Sequence, residues 1–367
     1  MLSIVLQNMV VFLLLAAVLG LCRWLVRQPY WPSARRALSR SRAARVSFAV
    51  LCLYAGIGVL DSIVWRDPLA DESGRAVLNA EGMPLYQALP LSLLDRLCTP
   101  VRTAQEKTYS APLAVTLLGL ESVQHEDGSV VREAPPLRYP GRHLLGTDKV
   151  GHDVFYSTLK GVRTALILGV FTSLIAIPCA LLFGIVAGYF GGLIDDAVQY
   201  VYTTLMSIPG VLLMVAFMLL FGRGLTQLCI IMGITTWTGL CRLIRAESIK
   251  LRELEYIAAA EALGVARPVI CYRHMLPNVM HIVIISAVLN FSSLVLSEAI
   301  LSYIGIGVGP DTGSWGNMIN NARLELARAP VVWWNLAGAF IGMIALVLPA
   351  NLFGDALRDA LDPRLKE

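Results

Sequence analysis

The stretch EYIAAAEALGVARPVICYRHMLPN, residues 255–278, lies between two long apolar runs, at 225–242 and 279–303. Its first ten residues are rich in alanine and end at Gly264, and they predict a short helix. Charged residues at its edges make the stretch too polar to cross a lipid bilayer. The chain therefore interrupts its apolar runs with a short helix that carries small side chains.

The composition around this stretch is typical of a helical integral membrane protein. Of the 367 residues, 56% are hydrophobic and 15% are charged, and the mean hydropathy is +0.65. The apolar residues occur in runs of about 20, which is the length that a transmembrane helix needs. These runs are 4–26, 46–65, 162–188, 204–222, 225–242, 279–303 and 331–353. The predicted fold class is an all-α integral membrane protein with about seven transmembrane helices and an extracytoplasmic insertion.

Basic residues predict the orientation of these helices, because short loops rich in Lys and Arg stay in the cytoplasm. The end of the first run and the loop after it contain no acidic residue, and their arginines are Arg23, Arg27, Arg35, Arg36, Arg40, Arg42 and Arg45. We therefore expect a multi-pass protein whose N-terminus is outside, whose residues 243–278 are inside, and whose C-terminus is cytoplasmic.

The chain divides into four predicted regions. Residues 1–65 hold two spans and the Arg-rich cytoplasmic loop. Residues 66–160 are too long for an ordinary loop and predict a small extracytoplasmic domain, in which the piece 122–142 is an exposed loop. Residues 161–354 are the transmembrane core, which contains the short helix at 255–264, and residues 355–367 are a cytoplasmic tail.

The motifs of common enzymes and metal sites are missing from the sequence. There is no G-x-x-x-x-G-K-[ST] phosphate loop and no G-x-S-x-G nucleophile motif, and the histidines at 125, 143, 152, 274 and 281 have no metal-ligand spacing. We expect no catalytic residue, no metal site, no cofactor bound by this chain and no nucleic-acid partner.

Polar residues in the sixth apolar run make it the candidate for a solute pathway, because such residues are costly in lipid. The candidates are Asn290, Ser293, Ser297 and Glu298. Glu298 could line the pathway or brace an outer gate by hydrogen bonding, and bonding between helices would explain the same residues. Intramembrane acids and bases are few, so an ion-coupled carrier would lack its usual relay.

The opening stretch resembles the EAA motif of binding-protein-dependent ABC import permeases, and a helix lying on the lipid headgroups is the alternative from its physical features alone. Ala259-Ala260, Gly264, His274 and Leu276-Pro277-Asn278 carry the resemblance. In that family the motif forms a coupling helix, which docks in a groove of the ATPase subunit. The sequence departs from the motif at its Glu, where Ala258 stands. The resemblance implies that the ATPase contact involves Glu255, Tyr256, Ala259, Ala260, Glu261, Gly264, His274, Leu276 and Pro277.

A second segment, HLLGTDKVGHDVFYSTLKGVRTAL (143–166), is similar to one that precedes a span in C-type permeases of the oligopeptide/dipeptide subfamily. The matching residues of this extracytoplasmic motif are Gly146, Thr147, Asp148, Gly151 and Asp153, while His152 replaces the usual Arg. AGYFGGLIDD (187–196), SWGNMI (314–319) and NLFGDALRDALDPRL (351–365) also resemble that subfamily, in the same order.

The resemblance implies the type I ABC importer fold and a permease subunit of a bacterial inner-membrane peptide importer. The chain itself would not be an enzyme, because ATP and Mg would bind to the partner ATPase subunits. The expected partners are a second, B-type permease subunit, two ATPase subunits, an extracytoplasmic solute-binding protein and membrane lipid. The alternatives are an importer of nickel or another small solute from the same subfamily, an ion-coupled secondary carrier and a non-transporting scaffold.

Overall fold

A computed structural model describes residues 2–27, 31–69, 77–78, 84–87, 90–124 and 130–361. Helices dominate this part of the chain, and four short strands form two antiparallel pairs. The helices are α1 Leu2–Val26, α2 Trp31–Arg40, α3 Arg42–Ser62, α4 Leu93–Leu97, α5 Thr99–Arg102, α6 Val154–Phe190, α7 Gly192–Ser207, α8 Gly210–Phe221, α9 Leu225–Arg252, α10 Glu255–Ala262, α11 Arg267–Ile270, α12 Leu276–Ile304, α13 Trp315–Ala322 and α14 Trp334–Leu361. The strands are β1 Val64–Trp65, β2 Leu91–Ser92, β3 Glu121–Gln124 and β4 Val130–Glu133.

Most of each predicted apolar run lies on a helix. Within the described residues five helices are long and apolar enough to cross a membrane, or six if the bent pair α7 and α8 is counted as one span, whereas about seven spans were predicted. The first run coincides with α1, which has 25 residues, although the structure does not describe all of its side chains. The prediction of an all-α membrane protein is confirmed.

The fourth apolar run is not the single span that was predicted over 204–222. α7 ends at Ser207, α8 begins at Gly210, and the two helix axes differ by 85°. Pro209 causes this break, because proline has no N–H for the helical ladder and forces the residue before it out of the α conformation. Ile208 accordingly has extended backbone angles, φ −92° and ψ 129°.

The sixth apolar run begins earlier than its sequence boundary suggests. α11, a π-helical turn at Cys271–Met275 and α12 together form one helix from Arg267 to Ile304. The last run differs at its other end, because α14 continues to Leu361, whereas the cytoplasmic tail was predicted to begin at 355. Residues 362–367 lie outside the described residues.

The chain forms two compact units. Unit 1 consists of Met1–Pro32, Cys52–Arg163 and Asn321–Gly342, and unit 2 consists of Ser33–Leu51, Thr164–Asn320 and Met343–Glu367. Unit 1 contains most of the predicted extracytoplasmic region. The prediction of a loop over 122–142 is wrong at its start, because β3 and β4 form an antiparallel hairpin there. Val130 and Val131 favour this extended structure, since β-branched residues are enriched in strands.

A buried ion cluster links three helices of unit 1. The Nζ of Lys160 on α6 lies 2.5 Å from the Oδ1 of Asp61 on α3 and 2.9 Å from the Oδ1 of Asp95 on α4. Tyr156 donates a hydrogen bond to Asp95, and Ser92 donates one to Asp61. Burial alone would raise the pKa of Asp95, but the hydrogen bonds from Ser92, Tyr156 and Lys160 hold that pKa below its usual range.

Unit 2 is held together by close helix packing around two apolar clusters. Gly184 and Gly188 occupy one face of α6 and allow it to approach α9 closely. A Cβ atom at Gly184 would lie 2.8 Å from the Cγ2 of Ile244, and one at Gly188 would collide with the Cβ of Ser248. This packing positions the C-terminal ends of α6 and α9, and the short helix α10 follows α9.

Candidate functional site

The short helix α10 ends as its sequence predicts. Gly264 has φ +78°, its N–H donates to the carbonyl of Glu261 at 2.9 Å, and the N–H of Val265 donates to that of Ala260 at 3.1 Å. This pair of bonds is a Schellman cap, which favours glycine at the left-handed position. The predicted left-handed cap at Gly264 is confirmed.

The α10 helix has an inner and an outer side. Ile257 and Ala260 are buried in the apolar cluster that also contains Ile270 and Met275. The two adjacent alanines of the motif therefore have different environments, because Ala260 faces this core while Ala259 is exposed. The inner side fixes the helix to unit 2, and the outer side is free to meet another molecule.

Exposed side chains, several of them large and apolar, occur along α10 and in the turns that follow it, and we call this set of residues the docking surface. Leu263 is 84% exposed and Tyr272 is 76% exposed. The surfaces of soluble proteins rarely expose several large apolar side chains as one patch. The motif resemblance does not include Leu263, Val269 and Tyr272, although large apolar residues in a segment predicted to be cytoplasmic were the available signal. The docking surface consists of Tyr256, Ala258, Ala259, Ala262, Leu263, Gly264, Val269 and Tyr272.

Side-chain hydrogen bonds connect α10 to two spans. The hydroxyl of Tyr189, at the end of α6, donates to the Oε1 of Glu261 at 2.6 Å. The Nδ2 of Asn278, on α12, donates to the hydroxyl of Tyr256 at 3.2 Å and to the carbonyl of His274 at 2.7 Å. The rings of Tyr256 and His274 lie 6.2 Å apart, and burial raises the pKa of Tyr256. The three contacts that Glu261 and Tyr256 make hold α10 against the end of α6 and the start of α12.

The other residues predicted for this site lie in the first turns of α10 and α12. Glu255 is exposed in the first turn of α10, where a carboxylate interacts favourably with the helix dipole. Leu276 and Pro277 are half-buried in the first turn of α12. Arg245, in the C-terminal part of α9, forms a two-pronged ion pair with Asp195, near the start of α7. The start of α7 and the C-terminal part of α9 are therefore also joined.

Tyr189→Phe is expected to weaken the connection between α6 and α10 without unfolding the chain. The change removes a hydrogen bond to a carboxylate, and such bonds contribute about 1.5–3 kcal/mol. On the resemblance to import permeases, we expect a several-fold decrease in transport per ATP hydrolysed, with binding of the implied ATPase subunit retained. A double-mutant cycle with Glu261→Gln measures this link. Additive effects of the two substitutions on transport would contradict it.

The extracytoplasmic motif is a buried scaffold in unit 1. Gly146 and Gly151 have φ +71° and +77°, and Cβ atoms there would collide with the carbonyl oxygens of Ser110 and Glu106. Asp148 accepts hydrogen bonds from the backbone N–H groups of Val150 and His152. The loop is therefore close-packed against the 106–110 segment and closed by its own backbone.

The remaining residues of this motif hold the start of α6. The hydroxyl of Thr147 donates to the carbonyl of Thr108 at 2.8 Å, and the indole of Trp334 donates to the carbonyl of Thr147 at 2.9 Å. Asp153 accepts from the backbone N–H of Tyr156 at 2.9 Å and lies 2.9 Å from the imidazole Nδ1 of His143. Thr147 and Asp153 are buried, so they position α6.

The pathway candidates of α12 separate into two groups. Asn290 and Ser293 are exposed and Ser297 is half-buried, and their spacing places them on one side of the helix. Glu298 is only 3% exposed and accepts hydrogen bonds from Ser302 at 2.7 Å and Ser314 at 2.6 Å. The structure thus gives Glu298 the geometry of a brace, which ties the loop before α13 to α12.

A second polar surface, which the sequence analysis missed, follows α7. It lines an open groove of about 470 Å³. Because the residues recur at helical spacing within a bent span, they lie on one side of α7. These residues are Asp196, Gln199, Tyr200, Thr203, Thr204 and Ser207.

The exposed, capped α10 helix lies in a region that also matches a known protein family. A family model described as "Binding-protein-dependent transport system inner membrane component" matches residues 180–367, which is just over half of the chain. The chain belongs to this family. As a member, it is a multi-pass inner-membrane permease with the type I importer fold, and the predicted family and fold class are confirmed.

Individual relatives of this permease have names that refer to peptide transport. It is 32% identical over 224 residues to the dipeptide transport system permease protein DppC of Bacillus subtilis, covering 61% of this chain and 69% of the relative. It is 33% identical over 224 residues to the glutathione transport system permease protein GsiD of Pectobacterium atrosepticum, covering 61% and 73%. It is 30% identical over 225 residues to the oligopeptide transport system permease protein OppC of Bacillus subtilis, again covering 61% and 73%.

Among solved structures, an inward-facing form of the MetNI methionine ABC transporter aligns with 55% of this permease and 93% of that chain. The TM-score is 0.43 and the sequence identity is 18%, a likeness too slight to add to the argument. The family match begins at residue 180, so α1 to α5 and the extracytoplasmic motif lie outside it.

Proposed function

We propose that this permease is one membrane subunit of an ABC importer that carries di- or oligopeptides, or peptide-like solutes, into the cytoplasm. The relatives named for dipeptide, oligopeptide and glutathione transport support this solute class. The observation that carries the proposal is the docking surface of α10, which is exposed and capped by a left-handed Gly264. One ATPase subunit docks there, and the two ATPase subunits of the transporter supply the energy.

The energy reaches the spans through the contacts of α10. ATP and Mg bind in the ATPase subunits, and their closure displaces the docked helix. Because Glu261 is bonded to Tyr189 and Tyr256 to Asn278, this displacement moves the inner ends of α6 and α12 together. Reversing a conformational equilibrium from 1:99 to 99:1 requires about 10⁴-fold tighter binding to the favoured state. Nucleotide must therefore discriminate strongly between the two states of the transporter.

In the membrane, the N-terminus lies outside and the C-terminus lies in the cytoplasm. The basic segments support this orientation, since Arg35, Arg36 and Arg40 precede α3 and the α10 segment contains further cations. Asn8, near the start of α1, donates to and accepts from the backbone of Val64, which follows α3. This pairing supports a common side for the N-terminal end of α1 and the extracytoplasmic end of α3.

Other subunits complete the transporter. A B-type permease subunit lies beside this chain in the membrane, and an extracytoplasmic solute-binding protein delivers the peptide to residues 66–160 and 304–330. The exposed polar residues Asn290 and Ser293, with Ser297, face the pathway between the two permeases, because polar side chains exposed in lipid are costly. The polar residues on the surface of α7 would be equally costly in lipid, so we place them on the pathway as well.

The test is co-purification followed by reconstitution. The tagged chain is purified in detergent, its associated subunits are identified, and the complex is placed in proteoliposomes with its binding protein. Labelled dipeptides, labelled oligopeptides and Ni²⁺ are then offered with ATP or with a non-hydrolysable analogue. We expect peptide uptake that requires hydrolysable ATP. Uptake of Ni²⁺ and of no peptide would show that the importer carries nickel and not peptides. Uptake driven by an ion gradient without ATPase subunits would contradict the proposal of an ABC importer.

A further inference from the structure

We propose that α2 and the first turn of α3 form a binding site for the headgroups of anionic phospholipids. We call this site the arginine surface, and its residues are Arg35, Arg36, Arg40, Arg42 and Arg45. All five side chains are exposed. The site lies outside the residues that match the permease family, and it does not depend on which solute the transporter carries.

The geometry of α2 presents its cations outward. Ala34 is fully buried and Leu38, four residues later, is half-buried, so the protein covers the apolar side of the helix. Arg35, Arg36 and Arg40 occupy the other side. The side chains that α2 exposes most are therefore cationic, so attraction between charges is the interaction that this surface offers.

The position of α2 along the chain places it at the membrane surface. α3 is long and apolar enough to span the bilayer, and a single residue, Ser41, separates it from the end of α2. The hydroxyl of Ser41 accepts a hydrogen bond from the N–H of Ala44 at 3.2 Å and fixes this junction. α2 has ten residues, which span about 15 Å, so its arginines stay close to the end of a membrane span.

No ion pair neutralises the arginine surface within the described residues. Residues 1–60 contain no Asp or Glu. Guanidinium groups bind phosphate through two parallel hydrogen bonds. Five such groups at headgroup level therefore match lipids that carry both a phosphate and a net negative charge.

The experiment titrates the full chain, in the complex with which it purifies, against phosphatidylglycerol in a neutral detergent. Native mass spectrometry counts the bound lipids, and phosphatidylcholine is the neutral comparison. We expect preferential binding of phosphatidylglycerol, which high salt weakens. Substituting Gln at Arg35, Arg36 and Arg40 together should lower this affinity about a hundredfold, roughly fivefold for each arginine.

Two matched variants make the result specific. Gln at Arg132, Arg142 and Lys149 removes the same charge from exposed extracytoplasmic positions and should leave phosphatidylglycerol binding unchanged. Lys at Arg35, Arg36 and Arg40 keeps the charge and should keep most of the binding. The proposal would be overturned if the Gln and Lys variants of α2 lost phosphatidylglycerol binding equally. It would also be overturned if the Gln variant bound this lipid normally but lost its ATPase subunits. Equal binding of the two lipids by the unsubstituted chain would do the same.

Discussion

Gly264→Asp is expected to reduce ATP-driven uptake at least about tenfold and to release the ATPase subunits during purification. A tenfold effect corresponds to a loss of roughly 1.4 kcal/mol in the free energy of docking. Gly264 has φ +78°, which costs a residue with a Cβ atom about 1–2 kcal/mol. No atom lies within 4 Å of the Cβ position, so the new carboxylate would point outward from the docking surface. It would therefore place a charge where the partner needs an apolar contact.

Gly305→Asp is the matched control for this prediction. Gly305 has φ +85°, ends α12 as a left-handed cap, and also has no atom within 4 Å of its Cβ position. The two substitutions carry the same backbone strain, but Gly305 lies at the other end of α12 from α10. We expect the Gly305 variant to retain its ATPase subunits. Equal loss of these subunits in both variants would assign the effect to folding and not to docking.

Lys160→Met is expected to destabilise unit 1 by about 3 kcal/mol, because it leaves buried carboxylates without their cation. Asp61 is 1% exposed and Asp95 is 5% exposed, and both lie within 2.9 Å of the Lys160 ammonium. Thermal unfolding followed by tryptophan fluorescence, with limited proteolysis of the extracytoplasmic region, measures this loss. An unchanged melting temperature would contradict the prediction.

Lys107→Met is the matched control, because Lys107 and Glu121 form an ion pair of similar length on the surface. Their atoms lie 2.5 Å apart, but the side chains are 69% and 40% exposed. Exposed pairs contribute about 0–1 kcal/mol, so this variant should unfold nearly as the unsubstituted protein does. Adding Asp61→Asn to Lys160→Met should recover part of the stability, since it removes one of the uncompensated charges.

The pH dependence of the Lys160 variant follows from Asp95. The pKa of this carboxyl is depressed in the folded protein by hydrogen bonds from Ser92, Tyr156 and Lys160, against the opposing effect of burial. A depressed carboxyl pKa stabilises the folded state above the unfolded pKa, near 4, and the stabilisation is lost as pH falls through the folded pKa. The difference between Lys160→Met and the unsubstituted protein should therefore shrink on acidification below about pH 4.

The sequence by itself determined the features that depend on local composition and spacing. Runs of about 20 apolar residues place the spans, because the bilayer core requires that length. The position of Gly264 at the end of an alanine-rich segment predicted a left-handed helix cap there, since few other residues adopt the left-handed conformation without cost. The motifs around 259–278 and 314–319 indicated the permease family before any contact between residues was known.

Only the tertiary structure decided which of these residues are exposed and which are buried. Glu298 and Asn290 occur in the same span, yet Glu298 braces a loop and Asn290 is exposed. Ala259 and Ala260 are neighbours in the motif, and one faces outward while the other joins the core. Sequence spacing gives the side of a helix but not what covers it. Burial depends on contacts between residues far apart in the chain, which only the folded arrangement of helices fixes.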